Sequence, residues 1–203
     1  MTLRMPAHLA QISGYAEHQA FLAESGAVHH RVPLWTTPAP ADFRGRDLRG
    51  VDFSKARLGY ADFRGANLAG ASFVNASLAR ADFASADLRG ANLQNTFLYL
   101  ARLSGADLSQ ADLSEAEMDG VTAKDASFSG ADMTGACLTN SDLMGADFSS
   151  SKMQDADLSY AQMSGVRLSG AHWQGALGLE RLDDGVIFPT PRGYAMFVRR
   201  SRR

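Results

Sequence analysis

At 203 residues and 45% hydrophobic composition, the chain is long enough for one domain with a real core. Its single cysteine, Cys137, rules out an internal disulfide, and no stretch approaches the roughly 18 apolar residues of a membrane-spanning helix. The net charge of -2 hides a split: +3 over residues 41–105, -8 over 106–175 and +3 over the last 28 residues. Met1 to Ala20 holds Pro6 and Glu17 and lacks the apolar run of a secretory signal, so a cytoplasmic setting is expected.

Residues 1–40 form the first predicted segment. Pro6 to Ser25 reads as helix interrupted at Gly14, with Leu9, Ile12 and Tyr15 on one stripe that Phe21 and Leu22 continue. Pro33, Pro38 and Pro40 make residues 31–40 an extended lead-in.

From Ala41 to Gly175, twenty-seven five-residue units follow without a break, as in Ala61-Asp62-Phe63-Arg64-Gly65. The third residue is apolar in every unit: fourteen Leu, seven Phe, four Met, Ala123 and Trp173. The first is Ala in twenty units, and thirteen units end in Gly. Period five suits no regular element. On a helix it rotates the apolar position by about 140° per unit, and each interior Gly costs about 1 kcal/mol. On a continuous strand it alternates faces.

The pattern resolves if each unit is a short extended piece followed by a corner. First and third residues then point inward and the second outward, while the fifth accepts φ > 0. The fold class is therefore an all-β solenoid, in which each unit buries its apolar side only by stacking on a neighbour. Phe and Leu alternate from Phe43 to Leu88, so a four-sided coil stacks Phe43, Phe63 and Phe83 in one column and Phe53 and Phe73 in the opposite one. It also places Ala123 in a column of large residues, which predicts a small void or a local inward shift.

The run Ala61-Asp62-Phe63-Arg64-Gly65-Ala66-Asn67-Leu68-Ala69-Gly70, and equally Ser104-Gly105-Ala106-Asp107-Leu108-Ser109, resembles the pentapeptide repeat family. The resemblance implies a right-handed quadrilateral β-helix, here of about seven coils. It fixes fold better than function: most members have no assigned activity, and a minority bind DNA gyrase and topoisomerase IV as duplex mimics.

Residues 176–203 close the chain. Val186-Ile187-Phe188 and Tyr194 to Val198 flank Pro189 to Gly193; they are either a cap on the last coil or, by family resemblance, a homodimer element within 176–198. The Arg-rich tail to Arg203 touches anionic partners or has no role.

Two surfaces are candidates for function. Phe97, Tyr99 and Leu100 fall on outward positions, and Tyr60 and Tyr160 share their wall; such a cluster is either covered by the N-terminal helix or binds a protein. The outward acids are expected to bond corner N–H groups, as Asp and Asn do in turns. The alternative is phosphate mimicry by Asp107, Asp112, Glu115, Glu117, Asp132, Asp142, Asp147 and Asp157, joined by Asp119, Asp125 and Asp155, toward a type II topoisomerase. Duplex DNA carries one charge per about 1.7 Å, far denser than this half of the chain.

Arg44, Arg49, Arg57, Arg64, Arg89 and Arg102 are expected to pair with neighbouring Asp, and no aromatic platform interleaves with them to bind nucleic acid directly. His29-His30, His8, His18 and His172 show no metal-ligand spacing, Cys137 has no His in register, and no phosphate loop or nucleophile elbow is present. No catalytic residue, cofactor or metal is expected. The function expected is a non-enzymatic protein-interaction scaffold with a partner of unknown identity.

Overall fold

The computed structural model describes residues 41–179. The expected N-terminal helix, most of the C-terminal cap or dimer element, the Arg-rich tail and His8, His18, His29 and His30 lie outside the described residues.

Parallel bridges join each second-position residue to its counterpart twenty residues on, from Asp42 with Asp62 to Asp157 with Leu177. Twenty residues are four units, so the coil has four walls. Wall one holds the units that begin at 41, 61 and onward to 161; wall two starts at 46, wall three at 51 and wall four at 56. Each wall touches the next coil through one bridged residue per unit rather than through a longer strand.

The backbone accounts for that register. The third-position N–H donates to the second-position carbonyl of the next coil, as Phe63 to Asp82 at 2.7 Å. The second-position N–H donates back to a first-position carbonyl, as Asp62 to Ala41 at 2.9 Å, and the fifth donates onward, as Gly65 to Ala84 at 3.0 Å. The first-position N–H closes the corner on the carbonyl three residues earlier, as Ala66 to Phe63 at 2.9 Å. All twenty-seven fifth residues, Gly or not, have φ between 53° and 77°, the mark of a type II turn.

Inside, the expected columns form. Phe43, Phe63 and Phe83 stack with ring centroids 4.5 and 4.7 Å apart, and Phe53 stacks on Phe73 at 4.9 Å. Across the axis the two columns meet edge to face at 5.7–5.9 Å, a favoured aromatic geometry. Three polar first-position residues are buried with their hydroxyls satisfied: Thr96 donates to Phe73 O, Ser141 to Met118 O and Ser151 to Phe148 O.

At Ala123 the ladder holds. Its N–H donates to Asp142 O at 2.8 Å, and Leu103 above it donates to Thr122 O at 2.7 Å, so no inward shift of the wall appears. The reason lies in the same coil, which carries Phe128 where earlier coils have Leu on wall two. Phe128 is fully buried and stacks on Phe148 at 4.8 Å.

The next coil has Leu143, Phe148, Met153 and Leu158 at the positions held here by Ala123, Phe128, Met133 and Leu138. A Leu therefore fits beside a Phe in this cross-section. Ala123→Leu is expected to stabilise the protein by about 1–2 kcal/mol, from roughly 0.8 kcal/mol per buried methylene less a repacking penalty. Thermal unfolding followed by circular dichroism should show a rise of about 2–8 °C; a fall would mean that the core has closed around the alanine.

Candidate protein-interaction surface

Four of the five backbone N–H groups of a unit go to the ladder and the corner. The fourth-position N–H remains, and the outward side chain takes it. Asp42 Oδ1 accepts from Arg44 N–H at 3.1 Å, Asp52 from Ser54 at 2.9 Å, Asn92 from Gln94 at 3.1 Å and Asp157 from Ser159 at 2.9 Å. All fourteen second-position Asp and Asn residues make this bond.

The cations follow the same geometry. Arg44, Arg49, Arg64 and Arg89 pair with the Asp two residues before them at 2.6–2.7 Å. Arg44 and Arg64 also reach Asp62 and Asp82 in the next coil, at 3.6 and 3.9 Å. Asp42, Asp62 and Asp82 therefore form the expected column, with arginines between them that turn repulsion into an ion ladder. Arg102 pairs with Asp82 at 3.4 Å.

The acidic second half is partly neutralised in the same way. Lys152 faces Asp132 at 2.9 Å, Arg167 faces Asp147 at 2.8 Å, Lys124 faces Asp142 at 3.1 Å and Arg89 reaches Asp107 at 3.9 Å. Asp112 accepts a hydrogen bond from Gln94, and Asp119 accepts from Thr139 and Asn140. Asp107, Asp112, Asp132, Asp142, Asp147 and Asp157 each hold a corner N–H as well. Glu115, Asp125 and Asp155 occupy corners and lie across Gly135, Gly145 and Gly175 of the next coil.

Wall four breaks these rules. Its second positions read Arg57, Ser77, Phe97, Glu117, Cys137 and Asp157, and Asp157, the one Asp or Asn among them, supplies its corner bond. The other thirteen corner bonds, and all the ion pairs described above, lie on walls one to three. Among the described residues the exposed large apolar side chains are Phe97 at 38%, Tyr160 at 68% and Leu177 at 56%, and all three are on wall four. Tyr99 and Leu100 are half-buried beside Phe97. Leu100 sits at φ 56° and leans over Gly120, where a Cβ would come 2.6 Å from its Cδ2.

The sequence-predicted cluster is thus resolved into parts. Tyr60 is half-buried, with the Arg80 guanidinium 5.9 Å from its ring centroid. Arg80 separates it from Leu100 in the corner column. Tyr160 stands three coils beyond Leu100, about 14 Å at the usual strand spacing. Cys137 is partly buried, with Sγ 3.4 Å from Thr139 Oγ1. Among the described residues no three His, Cys, Asp or Glu side chains gather as a metal site, and no helix is long and apolar enough to cross a membrane.

This geometry defines a β-solenoid wound from five-residue units, four to the turn. The pentapeptide repeat family model matches in eight copies, over residues 41–73, 61–98, 101–140 and 138–170. The chain belongs to the pentapeptide repeat family. Among solved structures it is similar to HetL, a pentapeptide repeat protein involved in heterocyst differentiation regulation from the cyanobacterium Nostoc sp. strain PCC 7120. They share 29% identity over 74% of this chain and 84% of HetL, with a TM-score of 0.33. A pentapeptide repeat protein from the Arabidopsis thaliana thylakoid lumen is 38% identical over 56% of this chain and 72% of its own, with a TM-score of 0.25. Full-length QnrB1, a plasmid-mediated fluoroquinolone resistance protein, is 16% identical over 79% of this chain and 99% of its own, with a TM-score of 0.43. No curated protein matches the chain by sequence.

Two predictions follow from the corner chemistry. Asp52→Ala leaves the Ser54 N–H without its acceptor and is expected to lower stability by about 0.5–1.5 kcal/mol, read by chemical denaturation. Hydrogen bonds from Arg44 hold Asp42 down at about 2, and those from Arg49, Ser54, Arg64 and Arg89 lower Asp47, Asp52, Asp62 and Asp87. Burial raises Asp132 and Asp147, but bonds from Thr134, Lys152, Arg167 and Ser149 outweigh it and leave both lowered. A carboxyl lowered by folding stabilises above its unfolded value near 3.8 and loses that contribution as pH falls through the folded value. Tm should therefore be level from about pH 5 to 8 and fall between about pH 4 and 2. Because these groups are exposed, added salt should shrink the effect.

Proposed function

We propose that this protein is a non-enzymatic scaffold of the pentapeptide repeat type that binds a protein partner through wall four, at Phe97, Tyr99, Leu100, Tyr60 and Tyr160. One observation carries the proposal. Wall four has Asp or Asn at one of its six second positions, and among the described residues it is where the exposed large apolar side chains collect. A wall that served only stability would keep Asp or Asn at its second positions, because each such bond contributes about 1 kcal/mol. Aromatic side chains beside charged ones are the composition of contact surfaces. A cytoplasmic setting fits the single free thiol.

Mimicry of duplex DNA toward a type II topoisomerase finds less support. It asks for uncompensated carboxylates at a density near one per 1.7 Å, whereas Asp107, Asp132, Asp142 and Asp147 each face a Lys or Arg of the same wall.

The test is affinity capture with wild type, a Phe97→Ser/Tyr160→Ser double variant and an Asp112→Asn control on wall three. A protein retained by wild type and by the control, but lost by at least tenfold from the double variant, is the expected result. Equal retention by all three, with the folds intact by circular dichroism, would refute the assignment of wall four. In a gyrase supercoiling assay the protein is expected neither to inhibit the enzyme nor to protect it from a quinolone at micromolar concentration; either effect would restore the mimicry reading.

A further inference from the structure

Wall four is not bare. Arg57, Ser77, Phe97, Tyr99 and Tyr160 on it each already have an interaction within the chain, so the first occupant to consider is the chain itself. The charges divide the wall in half. Counting the corner before each unit and the corner after it, the first three coils carry Lys55, Arg57 and Arg80 and no acid. The fourth to sixth carry Glu115, Glu117, Asp119, Asp155 and Asp157 and no Lys or Arg. Residues 1–25 divide in the same way. Before Gly14 they carry Arg4 and no acid; after it they carry Glu17 and Glu24 and no Lys or Arg.

We propose that residues 6–25 of this chain lie along wall four, running from its sixth coil to its first. The proposal rests on the reading of wall four as a contact surface, and a protein partner then reaches that surface by displacing the segment. The lengths agree. Twenty residues of helix span about 30 Å, and the first and sixth coils are five spacings of about 4.8 Å apart, about 24 Å in all. Wall four immediately precedes wall one in the winding order, and the described residues begin on wall one at Ala41. Residues 26–40, at up to about 3.3 Å each, are long enough to lead from the first coil of wall four to that point.

Centred on the wall, the helical reading of the sequence fixes a register. Glu24 falls at the first coil beside Lys55 and Arg57, where a cation relieves a carboxylate placed unfavourably in a last helical turn. Phe21, three residues before it on the same face, leans toward the helix start and so toward Phe97 and Tyr99. The interruption at Gly14 falls at the fourth coil, where Ser13 and Tyr15 bring hydroxyls rather than charges to Glu117 and Asp119. Ile12 falls near Cys137 of the fifth coil, Leu9 near Tyr160 of the sixth, and Arg4 approaches Asp155 and Asp157. The reverse direction sets Glu24 against Asp155 and Asp157, and Arg4 against Lys55 and Arg57, which like-charge repulsion opposes. The same argument disfavours the other end of the chain. Laid back along the wall from Leu179, residues 180–203 bring Asp183 and Asp184 to the acidic half and the Arg-rich tail toward the basic one.

Cys137 is the chain's single cysteine and gives the test a fixed point. In the full chain, a short bis-maleimide is expected to join Ile12→Cys to Cys137 within one molecule. The yield should exceed that with Phe21→Cys by about tenfold, because only a docked thiol has a high effective concentration. A second pair, Leu9→Cys with Tyr160→Cys in a Cys137→Ser background, is expected to join as well, since position 160 is 68% exposed. Adding Glu24→Lys to the first pair is expected to lower its yield by about threefold or more, and added salt to lower it in wild-type charge background too.

Failure of both pairs to join, a higher yield with Phe21→Cys than with Ile12→Cys, cross-links found only between two molecules, or a yield indifferent to Glu24→Lys would each overturn the proposal. None of these outcomes touches the scaffold assignment, which stands or falls on whether Phe97→Ser/Tyr160→Ser releases a captured protein.

Discussion

The structure depends on one corner, made twenty-seven times. At each, the fifth residue takes φ near 60°, and the second-position side chain holds the N–H that the ladder cannot reach. Fourteen fifth residues are not glycine, Tyr60, Leu100 and Tyr160 among them, although the left-handed conformation costs roughly 1–2 kcal/mol for such residues. They are tolerated because three other N–H groups of each unit are fixed to neighbouring coils or to the turn carbonyl, so the backbone has no alternative that keeps those bonds. Chain geometry imposes the corner, and glycine only makes it easier.

The same accounting explains the outward acid, which a hydropathy argument leaves arbitrary. Asp and Asn are short enough to turn back on the N–H two residues ahead, and Glu is not: Glu117 occupies a second position without making the bond that every Asp and Asn makes. The carboxylate so fixed lies flat on the wall and offers its second oxygen to an arginine, as Asp62 does to Arg64 at 2.6 Å. Corner bond and ion ladder are therefore one device, and walls one to three carry both. Wall four has Asp at one of its six second positions, Asp157, and it holds the exposed large apolar side chains of the described residues.

Much of this was legible in the residues. Period five and the inward third position gave the solenoid, the family resemblance supported by the Phe and Leu alternation gave four walls, and the sequence neighbours Asp42-Phe43-Arg44 gave the ion pairs. Ala123 was read from its column alone: Phe128, five residues on, adds bulk within the same layer, and only a fixed cross-section lets the two be compared. The acidic second half shows less free charge than its sequence count, because net charge over seventy residues ignores register, which brings Lys152 to Asp132 and Arg167 to Asp147 across a single coil. The aromatic wall was visible as a group, but its division by Arg80 and the distance of Tyr160 required the corner column to be laid out.

Register also decides what a surface on such a rod can recognise. In a globular domain, charges far apart in sequence are placed by loops that drift, so a match between two ends carries little meaning. Here every coil repeats the bonds of the last, with Asp62 N–H to Ala41 O at 2.9 Å near one end and Leu177 N–H to Ala156 O at 2.9 Å near the other. Side chains a whole number of coils apart therefore face the same way, at a separation fixed by the strand spacing. That rigidity lowers the entropy lost when a partner docks on a wall.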